Sequence, residues 1–148
     1  MTDFKKQGKK NRASGADFEK RTRKDLEDKG WLVDKWTNNV DLEKGEIVRA
    51  KNLFRGKNIP MMMGAGFPDF IAFRKHPENY IIGVESKINK YLKPEEKKKC
   101  QWLLENKVFS KILIAYRTKE KNRIKVNYQE FKLTSDTEKT QLNKMEEK

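Results

Sequence analysis

This 148-residue chain has a single cysteine and a single histidine. Cys100 alone excludes an internal disulfide, and the lack of a Cys/His cluster excludes a tetrahedral zinc site. Its helical neighbourhood reads as that of a buried structural thiol. Proline is scarce, at four residues, and apolar residues make up only 35% of the chain. No run of about eighteen apolar residues occurs, so no membrane-spanning helix is expected. The opening Met1-Thr2-Asp3-Phe4-Lys5-Lys6 lacks the apolar stretch of a signal peptide. The expectation is a soluble, cytoplasmic protein with no membrane partner.

What the chain has in excess is positive charge: 35 Lys and Arg against 22 Asp and Glu leave +13. An excess of that size favours phosphate backbones and makes binding strongly salt-dependent. Ribosomal-type binding proteins share it, so charge alone names no reaction. The length suits one domain with one core. Residues 1–13 read as a basic flexible arm, in which Lys9, Lys10 and Arg12 are candidate phosphate contacts or simply solvated charges. Residues 14–133 read as a single domain with an insertion at about 37–66, and residues 134–148 as a polar, disordered tail.

Two short apolar runs carry the chemistry. Phe67-Pro68-Asp69-Phe70-Ile71-Ala72-Phe73 reads as a strand with its proline at the start, where a missing N–H is tolerated. Tyr80-Ile81-Ile82-Gly83-Val84-Glu85-Ser86-Lys87 reads as a second strand, entered from the turn His76-Pro77-Glu78-Asn79. Alternation along that strand puts Glu85 and Lys87 on one face and turns Ser86 to the other. A hairpin between the runs sets Asp69 beside Glu85, and two anions so placed repel unless a cation stands between them. Glu-x-Lys also occurs at Glu27, Glu96 and Glu130, where context gives no reason to expect a site. Asp69, Glu85 and Lys87 are the candidate catalytic residues, with Asp69 and Glu85 as ligands for a hard cation and its water. A main-chain carbonyl beside Glu85 is a further candidate ligand.

Around these runs the pattern is α/β. Ser14 is expected to cap a helix with Asp17 closing the capping box, Phe18, Thr22 and Leu26 forming its buried stripe and Gly30 ending it. Spacing favours Glu19 pairing with Arg23 over turning toward the acids. Trp31 to Trp36 is expected as a strand, Pro94 opens a helix running to Asn106, residues 111–116 form a buried strand, and residues 123–128 an edge strand. In the insertion, Arg49, Lys51, Arg55 and Lys57 surround Phe54, a mix that suits a ribbon gripping a nucleic-acid backbone and equally an ordinary surface hairpin. The three tryptophans read chiefly as packing, with Trp36 retained as a nucleic-acid contact. His76 reads as a turn residue.

The order helix, three strands with acids on the second and third, helix, strand resembles the core of the PD-(D/E)xK nuclease superfamily. Pro68-Asp69 and Glu85-Ser86-Lys87 carry the match. Gly15-Ala16-Asp17-Phe18-Glu19-Lys20-Arg21 is similar to the first helix of archaeal Holliday junction resolvases, and Gln101 resembles a glutamine of resolvase-like and virus-type replication-repair nucleases. The resemblance implies an α/β restriction-endonuclease-like core, a central mixed sheet flanked by helices in the order αβββαβ. It implies a homodimeric, Mg²⁺-dependent DNA endonuclease, with Mn²⁺ substituting, branched DNA as substrate and roles in recombination and repair. It adds Glu19 to the metal site and Gln101 to the catalytic set. The connection from Trp36 to Phe67 is longer than in resolvases, and only Thr37 stands near the position of their functional serine. The alternatives are a nucleic-acid-binding module that no longer cuts and a basic assembly protein.

Overall fold

The computed structural model describes residues 2–50, 52–53, 62–63, 66–75 and 79–133. It opens with helix α1 (Thr2–Asp28), followed by β1 (Leu32–Lys35) and two two-stranded ribbons: β2 (Asn38–Asp41) with β3 (Glu46–Arg49), and β4 (Asn52–Leu53) with β5 (Met62–Met63). The hairpin strands β6 (Phe70–Lys75) and β7 (Asn79–Lys87) lead to helix α2 (Pro94–Glu105), then β8 (Lys111–Glu120) and β9 (Arg123–Glu130). The main sheet has the order β1-β6-β7-β8-β9 and is antiparallel except where β7 and β8 run parallel. The α2 crossover is what allows that parallel pair, since parallel neighbours need a long connection.

The fold is therefore α/β with a mixed five-stranded sheet and two helices. The element order departs from the expected αβββαβ, because the two ribbons stand between the first and second sheet strands and β9 follows the last. The strands foreseen at 31–36, 67–73, 80–87, 111–116 and 123–128 all occur within a few residues of their expected bounds, and β9 is the edge strand predicted. The expected turn at His76 and Pro77 and the tail from 134 lie outside the described residues.

Helix α1 starts at Thr2, not at Ser14, so the basic stretch expected to be a flexible arm is helical. Its Lys, Arg and Gln residues are good helix formers and it contains no proline. The packed half from Phe18 to Leu26 supplies the nucleus onto which further turns add at little cost. The predicted stripe is correct: Phe18, Thr22 and Leu26 are buried, and the Thr22 hydroxyl donates to the Phe18 carbonyl at 2.9 Å.

Strand alternation splits the core in two. On one side of the sheet Phe18 and Leu26 pack with Val33, Phe70, Ala72, Ile82, Val84 and Ala115. On the other, Cys100 and Leu103 of α2 pack with Phe67, Phe109, Ile112, Ile114 and Val40 of the β2–β3 ribbon. Burial of each large apolar side chain contributes ~1.5–3 kcal/mol. The ribbon is thus anchored by Val40, and its turn is local chemistry: Asp41 Oδ1 accepts from the N–H groups of Glu43 and Lys44 (both 3.1 Å), and Gly45 takes a positive φ of 64°. Gly66 is required where the chain returns to the sheet, because a Cβ there would overlap the Trp36 and Asn38 carbonyls. Among the described residues no helix is long and apolar enough to cross a membrane.

Candidate active site

One end of the sheet gathers the predicted acids. Asp69 stands one residue before β6, while Glu85 and Lys87 close β7. The Trp36 N–H donates to the Asp69 carbonyl at 3.0 Å, which fixes the chain at this edge. The Asp69 N–H donates to Glu85 Oε2 at 3.1 Å, so the two acids meet across the hairpin as expected. Glu85 is only 6% exposed. Lys87 Nζ lies 3.4 Å from Glu85 Oε1 and 2.7 Å from Glu96 Oε2 at the start of α2.

Ser86 has a role that the sequence did not assign. Alternation sets it off the Glu85–Lys87 face, and its N–H (2.8 Å) and its hydroxyl (2.7 Å) both donate to Asp69 Oδ2. Asp69 can meet it because it sits in the bend before β6, outside the ladder, and is free of the strand's alternation. Glu96 was also passed over. It holds Lys87 with one oxygen and accepts the Lys93 N–H at 3.0 Å with the other, the acidic half of a capping box.

The electrostatics are those of anions without enough compensation. Burial, reinforced by the Asp69 charge, pushes the Glu85 carboxyl up to about 9 in spite of Lys87. Burial also raises Asp69, against the lowering effect of the Ser86 hydrogen bonds and Lys87. Glu19 is raised by burial and by Asp69, with Lys35 opposing. For Lys87, burial works against the charge, but the Glu96 hydrogen bond and the Glu85 charge outweigh it and raise its pKa, so the ammonium persists. Cys100 beneath them is pushed up to about 12 by burial and then by Glu85 and Glu96, as befits an inert thiol.

Asp69 and Glu85 fit a hard divalent cation: both are oxygen donors on adjoining strand ends, and both are destabilised as anions until positive charge arrives. Among the described residues no group of three or more His, Cys, Asp or Glu side chains is placed to hold one ion. Glu19 is close enough for Asp69 to raise its pKa without completing such a group.

The remaining candidates separate. Glu19 does not pair with Arg23, which bonds Glu27 at 2.8 Å and the Val33 carbonyl at 2.9 Å instead. That releases Glu19 toward the acids. Gln101 donates to Glu105 at 2.9 Å along α2 and is not brought to the Asp69–Glu85 pair by that contact. Trp36 packs edge-on against Phe109 with ring centroids 5.2 Å apart, and its indole N–H is buried with no hydrogen-bond partner among the described residues. It is half-buried and packs against the core. Lys9, Lys10 and Arg12 are exposed on the first half of α1, and Arg49 is exposed on β3. Lys51, Arg55 and Lys57 lie outside the described residues.

Compared with protein-family models, with curated proteins and with solved structures, the chain gives no match.

Proposed function

We propose that the chain is a metal-dependent endonuclease that hydrolyses DNA phosphodiester bonds on a restriction-endonuclease-like core, of the kind that acts on branched DNA in recombination and repair. The observation that supports it most is the acid pair at the sheet end, where the Asp69 N–H donates to the buried Glu85 carboxylate at 3.1 Å and Lys87 lies 3.4 Å from the same glutamate. In this reading Asp69 and Glu85 hold Mg²⁺, for which Mn²⁺ substitutes, and Glu19 adds negative charge beside them. The ion, when bound, lowers the pKa of a water and offsets phosphate charge. Ser86 keeps one oxygen of Asp69 engaged and thereby orients the other. Lys87, kept charged by Glu96 and Glu85, orients the water or meets the anionic phosphate; it does not serve as a neutral base. Symmetric incision of two strands calls for two copies, hence a homodimer.

The test is cleavage of labelled four-way junction, duplex, flap and single-stranded DNA with Mg²⁺, Mn²⁺ or EDTA, comparing the wild type with Asp69→Asn and Lys87→Ala. Metal-dependent cutting that falls at least ~100-fold in both variants, with DNA binding kept, is expected. Salt-sensitive binding with no cutting of any substrate would transfer the reading to a binding module that no longer cuts.

A further inference from the structure

A groove of about 800 Å³ opens one strand over from Glu85, on the α2 side of the sheet. Register connects the two: Glu85 is level with Ile114, and Ile114, which lines the groove, is level with Gln129. The turn after β7, the first turns of α2 and the end of β9 form its walls. The turn is tight. The Lys90 N–H donates to the Lys87 carbonyl at 3.2 Å, and Lys90 adopts a φ of 67°. The chain therefore reverses directly after Lys87 and sets Tyr91 at the rim.

Tyr91 is 67% exposed, an aromatic ring left open four residues from Lys87 in a chain poor in apolar residues. Lys97 Nζ lies 6.0 Å from its ring centre, and Lys90 Nζ lies 4.9 Å from the ring of Tyr116, the register partner of Lys87. Lys132 brings a third ammonium group to the groove, against one carboxylate, Glu130. Buried Leu92 and Ile114 line it with apolar surface. An open ring flanked by cations beside an apolar wall matches the face of an unpaired base and its two phosphates. A base-paired duplex offers edges and phosphates but no free base face. We propose that this groove holds a single-stranded segment of a DNA substrate, with Tyr91 stacking on one base and Lys90, Lys97 and Lys132 contacting the flanking phosphates. The consequence for the substrate rests on the nuclease reading: a strand laid in the groove runs on to Glu85 and Lys87, so the DNA cut would carry an unpaired stretch next to the scissile bond.

Binding is measured in EDTA by fluorescence anisotropy, with a labelled oligothymidylate of about twelve nucleotides and a blunt duplex of equal length. Tyr91→Ala is expected to weaken oligothymidylate binding ~10-fold while changing duplex binding less than ~2-fold, and Tyr91→Phe to retain wild-type affinity. Lys90→Ala with Lys97→Ala is expected to weaken the oligothymidylate and lower its salt dependence. Unchanged oligothymidylate affinity in Tyr91→Ala, or an equal loss on duplex, overturns the proposal. Mg²⁺-dependent cleavage by the wild type is scored separately. Cutting with an unaffected Tyr91→Ala removes the groove and leaves the nuclease; a selective loss of binding in a protein that cuts nothing removes the nuclease and leaves the groove.

Discussion

At the scale of single residues, Glu85 is the most exposed to a change of conditions. Its carboxyl is held near 9 in the folded chain, chiefly by burial, well above an ordinary glutamate. A carboxyl whose folded pKa is raised binds a proton more tightly folded than unfolded, so stability falls as pH rises between the two values. The metal-free protein should lose several degrees of Tm, at least ~3 °C, between pH 5 and pH 9. Glu85→Gln should flatten that slope, and Mg²⁺ should restore the wild type at high pH by supplying the missing positive charge. Thermal melts across this range in EDTA decide it, and a wild-type Tm that is level or rising would show that Glu85 is not held protonated. The acids and Lys87 were legible in the sequence because strand alternation and hairpin pairing are periodic. Ser86 and Glu96 were not. Asp69 leaves the periodic ladder one residue before β6, so alternation could not foretell its bond to Ser86, and Glu96 reaches Lys87 only because the α2 crossover returns the chain over the end of β7.

At the scale of elements, α1 has two halves with different work. From Phe18 onward it packs on the sheet, and the Tyr128 hydroxyl of β9 donates to Asp25 at 2.6 Å, fastening the edge strand to the helix. Burial and then that aspartate push the Tyr128 phenol upward. Residues 4–13 are almost wholly exposed, down to Phe4 at 89%. Removing residues 2–13 should therefore shift Tm by less than ~2 °C, the range of surface changes, while weakening DNA binding by loss of Lys5, Lys6, Lys9, Lys10 and Arg12. A melt and a binding curve on the truncated chain check this, and collapse of the fold would mean the first half is structural. The periodic stripe made α1, β6, β7, α2 and β8 readable. The helix's early start was hidden because an exposed basic segment carries no apolar signal, and docking depends on its packed C-terminal half. In the β2–β3 ribbon, a lone Val40 gave no sign that the segment would dock against α2.

Across the whole molecule the net charge is +13, while Glu85 sits buried at one sheet end. In the proposed reading net charge attracts any nucleic acid, so selectivity comes from short-range contacts. Duplex affinity should fall ~10³-fold or more between 50 and 200 mM salt if six or more phosphates are engaged. Asp69→Asn should leave that slope unchanged, since the substitution removes an acid and no phosphate contact. A titration of affinity against salt, in EDTA, measures both; a slope near zero would mean that the surface charge does not meet DNA phosphates.

The Glu96 carboxylate has one oxygen on Lys87 and the other on the Lys93 backbone N–H. Fraying of the first turn of α2 and release of Lys87 are then a single event. Amide exchange at Glu96 and Lys97 would keep time with the lysine's freedom to leave Glu85, and whatever steadies that turn also readies the ammonium group.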